Sequence, residues 1–180
     1  MECKHPTLPY HWRLREPAWQ AMVEAAFDAS PLETTGLLIG TIQDVAGIQT
    51  VDVEACYVLQ GRDATAVSQT LPAEAWIAAY WAIETHYPDS QLLGWWHTHP
   101  GHGVFLSAAD WDLHQRKFAA HAAPWATAWV LDPIQLRVGA FVCAPGELWP
   151  VALTGIGAWP DGWQYRIDAG QSGLNASLGG

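Results

Sequence analysis

Two histidines two positions apart, His97 and His99, are the residues of this chain best suited to chemistry. They end an apolar run that predicts a strand, and side chains at positions i and i+2 of a strand point to the same face. Both imidazoles can therefore reach one metal ion. Asp110 follows eleven residues after His99, enough chain to fold a carboxylate back onto that ion. Two histidines and one aspartate would leave a tetrahedral zinc ion (Zn2+) with its fourth position open to water, as in catalytic zinc sites.

A hydrolytic zinc site also needs a group that moves protons. Zinc lowers the pKa of bound water to about 7, and a general base takes the proton of that water and passes it to the leaving amine. Glu33 is the candidate, because it stands just before an apolar segment, where a loop can present a carboxylate at the end of a sheet. Ser107 could donate a hydrogen bond to the oxyanion of a tetrahedral intermediate, which is worth about 3 to 4 kcal/mol when the donor is preorganised.

Each of these residues also has an ordinary structural interpretation. An isolated His-x-His on a strand is more often a surface pair or a packed pair than a ligand pair. Ser107 with Asp110 three residues later matches a helix capping box, and this role is compatible with the catalytic one. An acidic residue before a strand, such as Glu33, is uninformative alone. The combination of all of these residues in this order is far more specific than any part.

The elements that must position these residues alternate between helix and strand. Helical spacing and capping signals predict helices at residues 17–29, 72–87 and 107–120. Short apolar or alternating runs predict strands at residues 35–40, 48–59, 91–97, 126–131, 136–143 and 147–153. This order describes an α/β fold of the mixed α+β kind, in which helices flank a mixed sheet.

Length and charge limit the class of protein. The chain has 180 residues and a formal net charge of −10. This length suits one domain, which we place at residues 1–153, before a flexible tail at residues 154–180. No apolar run approaches the roughly 18 to 20 residues of a bilayer span, so no membrane partner is expected. An acidic chain without a cluster of Lys and Arg argues against nucleic acid as a partner.

Cysteine usage and the N-terminal residues predict a location. Cys3, Cys56 and Cys143 are far apart and form no CxxC pair, which is typical of ordinary thiols in a reducing compartment. The first residues lack the charged start and apolar stretch of a secretion signal. We therefore expect a cytoplasmic protein.

Tryptophan is unusually abundant, with 12 residues. So many rings cannot all be buried in a small domain, which favours an exposed aromatic binding surface. Of Trp95 and Trp96, only one should share the face of the histidines.

His102 and His114 lie near the candidate ligands, and we expect them to face solvent or form hydrogen bonds. A further helical stripe is interpreted as core: Trp76, Ile77, Tyr80 and Trp81.

Together these motifs resemble the JAMM metalloprotease family, also called MPN-plus or JAB. The resemblance covers residues 14–142 and rests on Glu33 before Thr35-Gly36-Leu37-Leu38-Ile39-Gly40, then Trp96-His97-Thr98-His99-Pro100, then Ser107-Ala108-Ala109-Asp110. It implies a JAB/MPN-like, cytidine-deaminase-like β-sheet flanked by helices. It also implies zinc ligands His97, His99 and Asp110, a general acid and base at Glu33, and an oxyanion donor at Ser107. No motif position is missing, which disfavours the inactive scaffolding branch of the family.

The resemblance further implies a substrate class. Family members hydrolyse the isopeptide or peptide bond after the C-terminal glycine of ubiquitin or a ubiquitin-like protein. The compact domain resembles bacterial members, which accompany activating and conjugating enzymes in antiphage operons, and this is our preferred hypothesis. The alternatives are a peptidase that processes sulfur-carrier proteins or cell-wall peptides, and a non-catalytic adaptor that binds a ubiquitin-like tail. In relatives the groove for that tail is bordered by the segments that correspond to residues 61–71 and 101–106.

Overall fold

The computed structural model describes residues 10–59, 73–118, 125–144, 147–150 and 162–166. These ranges contain three helices, α1 (Glu16–Ala29), α2 (Ala73–His86) and α3 (Ala108–Lys117). They also contain eight strands: β1 (Tyr10–Leu14), β2 (Thr35–Val45), β3 (Ile48–Val58), β4 (Gln91–Thr98), β5 (Thr127–Asp132), β6 (Arg137–Ala144), β7 (Glu147–Pro150) and β8 (Gln164–Tyr165). Among the helices in these ranges, none has the length and apolar character needed to cross a membrane.

All of the described strands belong to one mixed sheet. Its order is β1-β3-β2-β4-β5-β6-β7, and β8 pairs with β6. The central strand is β4, which runs antiparallel to β2 and parallel to β5. Backbone hydrogen bonds on both sides therefore fix the strand that carries the histidine motif.

Two apolar cores lie on opposite faces of the sheet. On one face α1, which has a proline in its first turn, contributes Trp19 and Met22 to a core that includes Trp96. On the other face α2 and α3 contribute Ala79 and Leu113 to a core that includes Trp95. The expected mixed sheet flanked by helices is therefore confirmed.

A bulge at Leu93 decides to which face of the sheet each later side chain of β4 points. Leu38 of β2 pairs with Gly94, whereas Ile39 pairs with Leu92, so Leu93 is an extra residue. As a result Leu93 lies in the core beside α1, but Trp95, two residues later, lies in the core beside α2 and α3. Gly94 is required here, because a Cβ atom would lie 1.9 Å from the carbonyl oxygen of Thr127.

The two strands at the ends of the described chain, β1 and β8, lie outside the elements predicted from sequence. β1 pairs parallel with β3, and β8 pairs parallel with β6. The expected flexible tail at residues 154–180 differs from the structure at residues 162–166, where Trp163 is buried against Trp19 in an edge-to-face contact of 5.1 Å. Burial of this large ring holds the segment on the domain. The remainder of the tail lies outside the described residues.

The interpretation of the α2 stripe as core is wrong for three of its four residues. Ile77, Tyr80 and Trp81 are 58%, 49% and 68% exposed, whereas Ala79 and Ile83 are buried. Trp76 alone packs partly against the core. Apolar residues surround most of α2, so their spacing cannot select the buried face.

Asp52 on β3 is a fully buried carboxylate that ties β1 to the sheet. Its side chain accepts hydrogen bonds from the guanidinium groups of Arg13 and Arg15. Burial alone would raise the pKa of Asp52, but the hydrogen bonds and charges of the two arginines outweigh this effect and lower it. The folded state therefore favours the ionised carboxylate.

We expect Asp52→Asn to lower the free energy of unfolding by about 2 kcal/mol at pH 7, since a charge-assisted hydrogen bond contributes roughly that much. A lowered pKa contributes stability above the unfolded value of about 3.9 and loses it as the pH falls. The difference between wild type and variant in urea unfolding should therefore shrink at pH 3. The exposed Glu24→Gln on α1 is the control. An equal loss at both pH values would contradict this account.

Candidate metal centre

His97 and His99 lie at the end of β4, at the centre of the sheet. His97 is opposite Thr35 of β2 and Val130 of β5, and it is fully buried. The backbone N–H of His99 donates to the carbonyl oxygen of Leu131 at 2.8 Å, which continues the pairing of β4 with β5. The Nε2 atoms of the two imidazoles lie 3.1 Å apart. The predicted convergence of the two rings is therefore present.

Asp110 is brought to the histidines by the first turn of α3. The N–H of Ser107 donates to Asp110 Oδ2 at 2.8 Å, and the N–H of Asp110 donates to Ser107 Oγ at 3.2 Å. This is the capping box that the sequence predicted. The same Oδ2 atom lies 3.4 Å from His97 Nε2 and 3.6 Å from His99 Nε2. The capping interaction therefore points the carboxylate at both imidazoles.

The three converging atoms fit a zinc ion. Bonds of about 2.0 to 2.1 Å in a tetrahedron place neighbouring ligand atoms about 3.3 Å apart, close to the observed separations of 3.1, 3.4 and 3.6 Å. In the part of the chain that the structure describes, this is the one group of histidine, cysteine and acidic residues so arranged.

The ionisation of Asp110 also suits a metal ligand. Burial by itself raises the pKa of Asp110, but the charge of His97 and hydrogen bonds from His97, His99 and Ser107 outweigh burial and hold the pKa well below its usual range. A carboxylate must be deprotonated to bind a metal ion. The protein environment therefore keeps Asp110 in the form that binding requires.

Glu33 reaches the same end of the sheet through the loop before β2. The N–H of Thr34 donates to Thr98 Oγ1 at 2.9 Å, and the N–H of Thr98 donates to the carbonyl oxygen of Thr34 at 3.0 Å. Thr98 stands between the two histidines, so these bonds place Glu33 beside them. The side chain of Glu33 is half-buried.

A cavity of about 210 Å³ opens at this point. Its lining consists of Glu33, His99, His102, Phe105, Ser107 and Asp110. The structure thus brings four of the five predicted site residues to one cavity, while the fifth, His97, is buried next to His99. Sequence reasoning did not single out Phe105, whose ring lies 4.8 Å from that of His99, although the segment 101–106 was named as a groove border. The other border, residues 61–71, lies outside the described residues.

Asp132 is a second residue that the sequence analysis missed. It is fully buried at the end of β5 and accepts hydrogen bonds from the backbone N–H groups of Gly101 at 2.9 Å and Gly103 at 2.8 Å. It also accepts from Ile134 and Gln135, both at 3.0 Å. Both glycines have a positive φ that favours glycine. The loop that follows the histidines is therefore held in one shape. In the sequence, the only local sign of a special role for Asp132 is the proline that follows it, which is typical of a turn.

Cys56 is unsuited to nucleophilic chemistry. It lies on β3 away from the cavity, and burial raises the pKa of its thiol to about 12. A thiolate, not a thiol, is the nucleophile. Among the described residues that line the cavity, the groups suited to chemistry are histidines, acids and one hydroxyl group.

Comparison with known proteins identifies the family. The sequence model of the family described as prokaryotic homologs of the JAB domain matches residues 15–137. The chain belongs to the JAB family. It is 31% identical over 113 residues to the ubiquitin carboxyl-terminal hydrolase RPN11 of Saccharomyces cerevisiae, a match that covers 62% of this chain and 35% of that protein. It is 33% identical over 94 residues to COP9 signalosome complex subunit 5 of Eremothecium gossypii, covering 52% and 21%.

The JAB chain also resembles a solved structure. The solution structure of protein DSY2949 from Desulfitobacterium hafniense matches with a TM-score of 0.58 and 19% identity, covering 81% of this chain and 94% of that one. This likeness concerns the fold alone. The chain spans about a third of the length of the proteasomal relatives it matches.

We expect His97→Ala and Asp110→Ala to lose bound zinc, because each removes one of three converging ligand atoms, whereas Glu33→Ala should keep it. Zinc per protein is measured by plasma mass spectrometry after dialysis. His102→Ala is the matched control, since it removes an imidazole that lines the same cavity outside the ligand group. Equal zinc contents in all of these proteins would sink the ligand assignment.

Proposed function

We propose that this JAB-family protein is a zinc-dependent isopeptidase or peptidase that cleaves after the C-terminal glycine of a ubiquitin-like protein. The observation that carries the proposal is the convergence of His97 Nε2, His99 Nε2 and Asp110 Oδ2 within 3.1 to 3.6 Å beside Glu33 and Ser107. The name of the yeast relative, a ubiquitin carboxyl-terminal hydrolase, supports the substrate class.

The roles follow from the chemistry of each side chain. His97, His99 and Asp110 would hold zinc, which when bound polarises a carbonyl group and lowers the pKa of water. Glu33 lines the cavity, so its carboxylate can take the proton of the attacking water and pass it to the departing amine.

Ser107 is suited to donate a hydrogen bond to the oxyanion of the tetrahedral intermediate. Its Oγ already accepts a hydrogen bond from the N–H of Asp110, so its own hydroxyl proton remains available to donate into the cavity. The capping box fixes the position of this donor before substrate arrives, which is the condition for a large contribution to catalysis. Ser107 would therefore stabilise the tetrahedral intermediate.

The burial of the candidate ligands favours glycine beside the scissile bond. His97, His99 and Asp110 are all buried, so the substrate backbone must come close to the floor of the cavity to reach them. Glycine allows the substrate backbone to approach closely, and an extended tail can lie along the segment 101–106. The hydrogen bonds from Gly101 and Gly103 to Asp132 hold this segment ready.

The exposed face of α2 suits the folded part of such a substrate. We define the α2 surface as Ile77, Tyr80 and Trp81, the three largely exposed apolar residues of that helix. Trp76 packs on Phe118, and Phe118 stacks on Trp95, so α2 lies on the same side of the sheet as the site. A cluster of exposed apolar side chains is typical of a protein-binding surface. The net charge of −10 suits a partner with a basic face.

We place the activity in a bacterial ubiquitin-like conjugation pathway of antiphage defence in the cytoplasm, beside activating and conjugating enzymes. The support is the match to the prokaryotic branch of the family and the compact domain. Processing of a sulfur-carrier protein is the alternative with the same chemistry. A non-catalytic adaptor is disfavoured by the presence of both Glu33 and the complete candidate ligand set.

The first test uses fusions of candidate ubiquitin-like proteins to a reporter. Wild-type protein should cut after the terminal glycine, as mapped by mass spectrometry, and fusions with valine in place of that glycine should resist. Glu33→Gln should lower the rate by 100-fold or more, since general base catalysis contributes about 10²- to 10⁴-fold. Glu24→Gln is the control. Binding of the fusions without any cleavage would favour the adaptor and contradict the proposal.

The second test concerns the α2 surface. We expect Trp81→Ala to raise KM several-fold for the complete fusion and to leave the cleavage of a short glycine-ended peptide unchanged, because only the folded substrate reaches α2. Val45→Ala, an exposed apolar residue at the end of β2, is the control. Equal KM values for wild type and Trp81→Ala on the complete fusion would remove the α2 surface from substrate binding.

A further inference from the structure

We propose that Trp95, anchored by His114, is a positioning residue that fixes the imidazole plane of His97 and so strengthens metal binding. This inference rests on the proposed metal site, but it concerns two buried side chains that neither line the cavity nor belong to the ligand group. Their role would be exerted through contact with a ligand and not with substrate.

The indole of Trp95 lies flat against the imidazole of His97. The ring centroids are 4.5 Å apart and the planes differ by 11°. Both side chains are buried, and their spacing of two residues places them on the same face of β4. The imidazole cannot rotate about its Cβ–Cγ bond without separating from the indole or colliding with it. The stack therefore restricts the direction in which His97 Nε2 points.

This restriction replaces the usual one. Histidines that bind zinc normally donate their second ring N–H to a carboxylate or carbonyl oxygen, which fixes the orientation of the ring. Of the residues that the structure describes, none forms a hydrogen bond with Nδ1 of His97. In place of that hydrogen bond, packing restrains the ring, and Trp95 lies parallel to it at stacking distance.

His114 holds Trp95 in this position. The indole Nε1–H of Trp95 donates to Nδ1 of His114 at 3.0 Å, and both side chains are 1% exposed. Since an indole N–H can only donate, Nδ1 of His114 must be unprotonated and Nε2 must carry the proton. Burial lowers the pKa of His114 to about 4, which keeps this neutral form near pH 7.

Phe118 completes the packing around the pair. Its ring stacks on His114 with centroids 5.5 Å apart and on Trp95 at 6.5 Å. His114 is four residues after Asp110, so α3 carries one candidate ligand and the anchor of the ring that orients another. A phenylalanine at position 114 could fill the same volume. The histidine is explained by the acceptor that it offers to Trp95.

The test compares zinc affinity, measured by chelator competition, across four single variants. Trp95→Phe keeps an aromatic ring but removes the N–H, and His114→Phe keeps the ring but removes the acceptor. Each should weaken zinc binding about 10-fold or more, as loss of a residue that orients a ligand does, and should shift the visible absorption of the cobalt-substituted protein. His114→Asn, whose Oδ1 can replace Nδ1, should restore most of the affinity. Trp96→Phe, on the opposite face of β4, should stay within about 2-fold of wild type.

The double variant Trp95→Phe/His114→Phe separates positioning from general packing. If the hydrogen bond is what matters, the double variant should bind zinc no worse than the weaker single variant, because the two changes remove one interaction. Unchanged zinc affinity in Trp95→Phe and His114→Phe, in a wild type that binds zinc, overturns this inference and leaves the proposed function standing. If the wild type binds zinc but cleaves no fusion, the proposed function is contradicted and this inference is left standing.

The wild-type protein provides a measurement that does not depend on the folding of variants. Nitrogen-15 NMR of the histidine side chains should show His114 with its proton on Nε2 and an acceptor-type Nδ1 between pH 6 and 8. Observation of the Nδ1–H form would exclude the hydrogen bond from Trp95 and overturn the inference. Melting temperatures of all variants identify any that fail to fold.

Discussion

One extra residue in the central strand decides where this protein can build a site. Side chains alternate along a strand, so a slip of one position moves every later side chain to the other face. Leu93 packs beside α1. Without the bulge, Trp95 and His97 would point to the same face of the sheet as Leu93. With it they face α3, which carries Asp110. Gly94 follows the extra residue, and its lack of a Cβ atom allows β5 to approach closely there. The candidate ligands meet because the bulge at Leu93, two residues before Trp95, changes the face of the sheet to which the later side chains of β4 point.

Asp110 joins helix formation to the site. Its Oδ2 atom accepts the hydrogen bond that closes the capping box, and the same atom faces both imidazoles. The structural and the chemical interpretations of Ser107 and Asp110 are therefore not rivals. A carboxylate held by the first turn of a helix loses little further conformational freedom when a ligand arrives. The stability of α3 and the geometry of the candidate metal centre thus depend on one side chain, and a change at position 110 would affect both.

The sequence predicted what depends on neighbours along the chain. The pairing of His97 with His99 follows from the period of a strand, and the capping box of α3 follows from residues three apart. It missed what depends on distant partners. The burial of Trp163 depends on Trp19, and the hydrogen bonds of Asp132 reach Gly101, some thirty residues away. The exposed face of α2 was missed for a related reason. Apolar residues lie on several sides of this helix, so its packing against the sheet decides which face is buried.

Hydrogen bonding, more than burial, separates the uses of tryptophan in this chain. Trp96 and Trp129 are as buried as Trp95, but among the described residues no partner meets their indole N–H groups. An unpaired buried donor has a cost that the burial of a large apolar ring can offset, so these two residues are explained by packing alone. The N–H of Trp95 has a buried partner in His114, whose other ring nitrogen is itself unpaired within the described ranges. Apolar rings in place of Trp95 and His114 would avoid the cost of that unpaired nitrogen, so packing alone does not explain the pair. An indole plane fixed beside the ring of His97 does explain it.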